Sequence, residues 1–141
     1  MKKIFIASDH AGFNLKRNII KYFSKKLIFI DLGTSSAKVS VNYPDFAHYL
    51  SKKVASSSKN IGIPICGSGM GMAIAANKNK NIRAALCYSM KNTKLSRLHN
   101  NANIITLGER LINKNKAISL IKIFLSTKFE GGSHLRRVKK I

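Results

Sequence analysis

Short apolar segments alternate along the chain with longer segments in which apolar residues recur every three to four positions. Short apolar runs between turn signals are typical of buried strands, and the longer spacing is typical of amphipathic helices. The predicted strands are residues 3–7, 27–30, 61–65, 82–87 and 103–107. The predicted helices are residues 13–24, 46–54, 72–79, 89–98 and 115–126.

The strict alternation of strands and helices predicts an α/β fold with a five-stranded parallel sheet and helices on both faces. A chain of 141 residues suits a single domain, residues 1–141. In the first helix, Lys16, Arg17 and Lys21 are expected to face solvent. Ligands of such folds bind at the carboxyl ends of the strands, where Asp9-His10, Cys66-Gly67-Ser68 and Glu109-Arg110 all lie.

The segment from Cys66 to Gly71 carries the clearest chemical signal. A buried apolar run ends in a cysteine followed by three alternating glycines, and good helix formers come next. A strand, glycine loop and helix in this order direct backbone N–H groups at an anion. A cysteine at the mouth of the loop is held where its thiolate is stabilised. The pattern favours a reactive Cys66 over a small buried hydrophobic residue.

Three phosphate-handling classes are excluded by the residues around this loop. Met72 stands where a cysteine phosphatase would have arginine, and Met72-Ala73 stand where a Walker loop would have Lys and Ser or Thr. A dinucleotide-binding loop would follow the first strand, not the third. What remains suits proton abstraction next to a carbonyl, with the loop N–H groups holding the enediolate charge. Ser68 either donates a further hydrogen bond or caps the helix.

Composition adds one unusual feature, a net charge of +21 from 26 Lys and Arg against 5 Asp and Glu. Such a charge attracts nucleic acids. However, the lysines are spread along the chain with little aromatic interleaving, so we favour a lysine-rich surface and predict no specific nucleic-acid partner. No apolar stretch is long enough for a membrane span or a signal peptide, so we expect a cytoplasmic protein with two free thiols.

Other candidate residues are weaker when taken alone. His99 could move a proton near neutral pH, and Arg110 and Arg137 could bind a phosphate. The four histidines are isolated and the two cysteines are far apart, so no metal site is predicted. His48 is expected to be exposed, and Cys87 to lie in the core.

Nine segments together resemble the type B ribose-5-phosphate isomerases, in the family shared with galactose-6-phosphate isomerase subunits. They span nearly the whole chain in the right order: SDHAG (8–12), DLGT (31–34), YPD (43–45), ICGSGMG (65–71), AANK (75–78), IRA (82–84), LSRLHNNAN (95–103), LGER (107–110) and FEGGSH (129–134).

The resemblance implies a three-layer Rossmann-like fold that forms a homodimer or tetramer, with active sites shared between subunits. It implies cofactor-free and metal-free interconversion of D-ribose 5-phosphate and D-ribulose 5-phosphate through a cis-enediolate, in the non-oxidative pentose phosphate pathway. Cys66 matches the general base, His99 assisted by Asp9 matches the ring-opening residue, and Ser68 matches the group that stabilises the enediolate. The matching substrate contacts are Asp9, His10, Tyr43, Gly67, Ser68, Gly69, Met70, Gly71 and Asn100, with Arg110 and Arg137 at the phosphate.

The chain departs from the family pattern at Ser133, where the family commonly has arginine. We therefore expect weaker phosphate binding, unless Arg136 takes over this contact. Two alternatives stay open: an isomerase of a six-carbon sugar phosphate, such as galactose 6-phosphate or allose 6-phosphate, and a catalytically dead protein that binds polyanions.

Overall fold

The computed structural model describes residues 2–141 and contains five strands and six helices in that range. The strands are β1 Ile4–Ser8, β2 Phe29–Asp31, β3 Ile61–Cys66, β4 Ala84–Leu86 and β5 Ile104–Gly108. The helices are α1 Phe13–Phe23, α2 Tyr43–Ala55, α3 Met70–Ala76, α4 Met90–Leu98, α5 Lys114–Ser126 and α6 Ser133–Val138.

All strand pairs are parallel, in the order β2-β1-β3-β5-β4. The five-stranded parallel sheet is therefore confirmed. After β2 the chain crosses to the other side of β1, so the strand order reverses between β1 and β3. In open parallel sheets, the crevice above such a reversal is where ligands bind.

Side-chain alternation along the strands builds a core on each face of the sheet. Ile4 and Ile6 of β1 pack in the cluster that also contains the apolar faces of α1 and α5. Phe5 and Ala7, which point the other way, pack in the cluster with Leu50 of α2 and residues of α3. This alternation is the two-residue period of a strand buried on both faces. Helices lie on both faces, as predicted.

Several element boundaries differ from the sequence prediction. The edge strands β2 and β4 are only three residues long, so several apolar residues assigned to them lie in the connections instead. α2 begins at Tyr43 because Pro44 occupies its first turn, where a fixed φ and a missing N–H are tolerated. The unpredicted α6 has only six residues and buries none of them, so its sequence shows no apolar stripe.

Lys16 contradicts the expectation that it faces solvent. Its side chain is 1% exposed, and Nζ lies 2.7 Å from Oδ1 of Asp31 at the end of β2. Nζ also donates to the carbonyl of Thr34. The prediction was wrong because helical periodicity indicates which way a side chain points on the helix. It does not indicate whether a distant loop covers that side chain. Arg17 and Lys21 are exposed, as expected.

Within residues 2–141, no helix is both long enough and apolar enough to cross a membrane.

The Lys16–Asp31 pair gives the first prediction. Asp31→Asn keeps the size of the side chain but leaves the buried ammonium without its counter-charge. We expect it to lower the free energy of unfolding by about 2–3 kcal/mol, less than for a fully buried pair because Asp31 is half exposed. Lys16→Met removes the buried charge itself and should be less destabilising. Urea denaturation of both variants and of the double variant tests this, and an Asp31→Asn protein at least as stable as Lys16→Met would contradict it.

Candidate active site

A cavity of about 360 Å³ opens at the carboxyl ends of β1, β3 and β5. It lies at the reversal of strand order, where a ligand site is expected. The lining residues come from the loops after these three strands and from the start of α2. They are Asp9, His10, Ala11, Tyr43, Cys66, Gly67, Ser68, Gly71, Arg110 and Leu111.

Cys66 is the last residue of β3, and its thiol is the only one that lines this cavity. Its Sγ accepts a hydrogen bond from the N–H of Gly69 at 3.2 Å. Gly69 has φ +76°, a left-handed conformation that side chains rarely adopt. The glycine thus allows the tight turn that brings its N–H back to the sulfur.

Two further glycines let the neighbouring loops approach closely. A Cβ on Gly67 would lie 2.9 Å from Nη1 of Arg110, so the missing side chain leaves room for the guanidinium over the loop. A Cβ on Gly71 would clash with the ring of Tyr43. The loops are also joined by backbone, because Arg110 N–H donates to the Gly67 carbonyl at 2.9 Å. Arg110 and Tyr43 are therefore placed around the thiol by backbone contacts.

Asp9 and His10 form the wall on the β1 side. One oxygen of the buried Asp9 carboxylate accepts from the N–H of Gly12 at the start of α1, at 3.0 Å. The N–H of Val41 donates to Nδ1 of His10 at 3.1 Å. In the neutral ring, Nε2 therefore carries the proton and is a donor for an anion in the cavity.

Ser68 lines the cavity, and its Oγ accepts from the N–H of Met70 at 3.2 Å. Ser68 precedes the N-cap Gly69 and α3 has no side-chain cap, so the helix-capping role considered for Ser68 was wrong. Its hydroxyl proton stays available for a ligand. Gly69 and Met70 do not line the cavity: Gly69 is buried and the Met70 side chain is 51% exposed on the surface. Met70 N–H is committed to Ser68, so the roles implied for these two residues remain predictions.

His99, Asn100 and Arg137 do not line this cavity either. His99 lies at the end of α4, and its ring stacks on that of His134 with centroids 4.2 Å apart. Nε2 of each histidine lies 3.9 Å from Oε2 of Glu130. The expectation of isolated histidines was thus wrong, because tertiary packing brings α4 beside the segment before α6. The spacing of four between Glu130 and His134 was the one signal that could have suggested the contact.

Two smaller expectations can also be checked. His48 is half-buried, with Nδ1 3.0 Å from Nδ2 of Asn79, so the prediction that it is exposed was wrong. Cys87 is buried, as predicted. Burial raises the pKa of the Cys87 thiol, although hydrogen bonds with Thr93 and Ser96 partly offset the effect.

Leu111 and Ala11 line the cavity without having been predicted. Each directly follows a predicted site residue, Arg110 or His10, and that adjacency was the only signal. Ser133 is the exposed first residue of α6, and the effect of its departure from arginine stays a prediction.

A larger cavity of about 580 Å³ lies at the opposite, amino ends of the strands, among residues that include Lys2, Arg83 and Arg97. Burial lowers the pKa of Arg97, and the nearby charge of Arg83 lowers it further. Both guanidiniums donate to backbone carbonyls at the end of α4, so they support that turn. No cysteine, histidine or carboxylate lines this cavity, and we place the chemistry in the smaller one.

The fold and the smaller cavity define a doubly wound α/β protein with a thiol, an arginine and a histidine lining a pocket at its switch point. A family model described as Ribose/Galactose Isomerase matches residues 4–141. The chain belongs to this family of isomerases.

Curated relatives match over nearly the full chain. A probable ribose-5-phosphate isomerase B of Mycoplasma genitalium is 44% identical over 140 residues, covering 98% of this chain and 92% of the relative. The ribose-5-phosphate isomerase B of Escherichia coli is 38% identical over 142 residues, covering 100% of this chain and 95% of the relative. A putative sugar phosphate isomerase of Bacillus subtilis is 43% identical over 140 residues, covering 99% and 94%.

Solved structures of similar proteins also match this fold over nearly the full chain. A ribose 5-phosphate isomerase of Thermotoga maritima superposes with a TM-score of 0.94 at 47% identity, covering 98% of this chain and 95% of that one. The ribose-5-phosphate isomerase B of Mycoplasma genitalium was solved with bound ribulose-5-phosphate. It superposes with a TM-score of 0.94 at 42% identity, covering 99% of this chain and 93% of that one. The Rossmann-like arrangement implied by the resemblance is thus confirmed.

The different surroundings of the two thiols give the second prediction. We expect iodoacetamide to modify Cys66 in the native protein while Cys87 stays unmodified. Both thiols are buried, Cys66 at 5% and Cys87 at 1% exposure, but only Cys66 lines the cavity, through which a small reagent can reach it. Cys87 also has a raised pKa, hence less thiolate at a given pH. Peptide mass spectrometry after brief labelling at pH 8 measures both sites, with urea-unfolded protein as the control. Equal labelling of both cysteines in the native protein would contradict the assignment.

Proposed function

We propose that this protein interconverts D-ribose 5-phosphate and D-ribulose 5-phosphate through a cis-enediolate. The observation that carries the proposal is the Cys66 thiol in a cavity whose rim includes Arg110 and His10. A thiol that can act as a base and two side chains that can bind phosphate thus line one cavity, which supports the proposal. The relative from Mycoplasma genitalium, solved with ribulose-5-phosphate, supports the choice of substrate.

The chemistry needs one base and a stabilised oxyanion. The Cys66 thiolate removes the proton from C2 of the open-chain aldose, and the electron pair moves to the carbonyl oxygen at C1. The hydroxyl proton on O2 passes to O1 across the cis-enediolate, and the thiol returns the proton taken from C2 to C1 as the C2 oxygen becomes the ketone. Between the two steps, loop N–H groups and the Ser68 hydroxyl stabilise the enediolate oxygens. Every proton is returned, so the reaction needs no co-reactant.

The phosphate is expected at the Arg110 side of the cavity. Arg110 offers a planar fork that binds phosphate oxygens bidentately, and the Nε2–H of His10 faces the same cavity. Both residues are fixed through backbone N–H groups, Arg110 to Gly67 and Val41 to His10. Such preorganisation holds the sugar with its reacting carbons near the thiol.

The remaining residues are supplied by a second subunit in this proposal. His99, Asn100 and Arg137 lie outside the cavity, although ring opening requires an acid–base group near the sugar. A set of exposed apolar side chains lies on α3, directly after the glycine loop, and at and just before the start of α4. It consists of Met70, Ile74, Tyr88 and Met90, which are 47–68% exposed. Apolar surface of this kind is typical of a subunit interface, so we infer a two-fold homodimer, with a tetramer built from it as a further possibility.

In the dimer, His99 and Arg137 of each subunit complete the site of the other, with His99 opening the furanose ring and Asp9 assisting. A cytoplasmic location and a single domain over residues 1–141 belong to the same proposal.

The first test of the function is turnover of ribose 5-phosphate in EDTA. We expect the wild type to be active and Cys66→Ala to lose at least three orders of magnitude in kcat, because the thiolate carries out both proton transfers at carbon in this proposal. Cys87→Ala is the matched control and should keep its activity.

Two results would change the proposal. Activity that survives in Cys66→Ala would keep the reaction but assign the base elsewhere. A wild type that is inactive on ribose 5-phosphate but active on allose 6-phosphate or galactose 6-phosphate would make it a six-carbon isomerase.

The shared site gives a separate prediction. Cys66→Ala and His99→Ala should each be inactive alone, but unfolding, mixing and refolding them together should restore about a quarter of the wild-type activity. Random association gives half heterodimers, each with one site free of both substitutions. Co-refolding of each variant with itself is the control. No recovery from mixtures that contain heterodimers would place His99 in the same site as Cys66 of its own chain.

A further inference from the structure

His99, Glu130 and His134 form a compact group of potential metal ligands. One donor atom from each lies within 4.8 Å of the other two. All three side chains are at least partly exposed, so an ion can reach them from solvent. The segment from Glu130 to His134 turns through Gly131 and Gly132, both with positive φ, which brings two ligands of one segment back onto α4.

The donor set is two imidazole nitrogens and one carboxylate oxygen. This set binds zinc in catalytic sites, with a fourth position left open for water or another ligand. Ligands of a tetrahedral zinc ion lie about 3.3 Å apart for bonds of about 2.0–2.1 Å. The nitrogen–oxygen distances here are 3.9 Å, so small side-chain rotations that open the stacked rings are sufficient.

The chemistry selects among ions. Imidazole ligands favour zinc and its neighbours in the transition series, whereas magnesium requires oxygen ligands and keeps most of its water. The high positive charge of the chain, +21, opposes any cation that is held only electrostatically. Coordination by nitrogen is therefore what would allow an ion to bind here.

We propose that His99, Glu130 and His134 bind a divalent transition-metal ion such as Zn²⁺, and that the bound ion reversibly inhibits the enzyme. A zinc ion on His99 occupies the nitrogen lone pair needed for proton transfer. The binding part of the proposal stands on the geometry alone, and the inhibition part rests on the proposed function.

The binding test uses titration calorimetry with Zn²⁺ on EDTA-treated, dialysed protein in the Cys66→Ala background, which removes the competing cavity thiol. We expect one ion per chain, at least tenfold weaker binding in Glu130→Gln and in His134→Gln, and no comparable binding of Mg²⁺. His48→Gln removes a histidine outside the group and is the matched control. Unchanged affinity in Glu130→Gln and His134→Gln, an equal loss in His48→Gln, or equal binding of Mg²⁺ would overturn the site.

The activity test uses protein with Cys66 intact. Zn²⁺ should inhibit turnover of ribose 5-phosphate, EDTA should restore it, and Glu130→Gln should require at least tenfold more Zn²⁺ for the same fractional inhibition. Zinc that binds at the group without affecting turnover would overturn the inhibitory part. An enzyme without turnover in EDTA would refute the proposed function, while calorimetry would still decide whether the metal site exists.

Discussion

The active-site cavity depends on the close backbone approach of two loops, those after β3 and β5. Hydrogen bonds join Glu109 N–H to the Cys66 carbonyl and Arg110 N–H to the Gly67 carbonyl. A Cβ on Gly108 would lie 2.5 Å from the Ser68 carbonyl carbon, so the approach tolerates no side chain there. Because the contact is between backbones, it fixes the distance between the thiol-bearing loop and the guanidinium-bearing loop. The remaining site residues are then arranged around this fixed pair.

The fold could be predicted from the sequence because its information is local. Apolar runs such as 61–65 have the length of a buried strand, and the stripe of Leu15, Ile19 and Phe23 has the period of a helix. Edge strands were predicted less well, since their length is set by pairing with one neighbour and not by apolar composition. The buried Lys16 was beyond sequence reasoning, because its partners are Asp31 at the end of β2 and the Thr34 carbonyl in the loop that follows, and the pattern does not contain the course of that loop.

In the site too, the residues that local sequence determines could be predicted, and those that depend on tertiary contacts could not. Asp9, Cys66 and Arg110 could be assigned together because each follows a strand, and parallel strands end at one edge of the sheet. His99 follows a helix, so no topological rule connects it to that edge. Its contact with His134 joins residues 35 positions apart through tertiary packing, and the proposed place of His99 in a neighbouring subunit lies outside what one chain can encode locally.

The five acidic residues show how a chain of such high positive charge keeps a defined structure. Asp9 accepts from Gly12 N–H, Asp31 pairs with Lys16, and Glu109 accepts from the N–H of Leu15 at the start of α1. Glu130 lies between two histidines, and Asp45 is in the first turn of α2, where a carboxylate stabilises the helix dipole. Each acid therefore has a local role, and none serves only to lower the net charge. The unbalanced cations leave the chain with a net charge of +21, and the resulting positive field attracts anions and weakens as salt screens it.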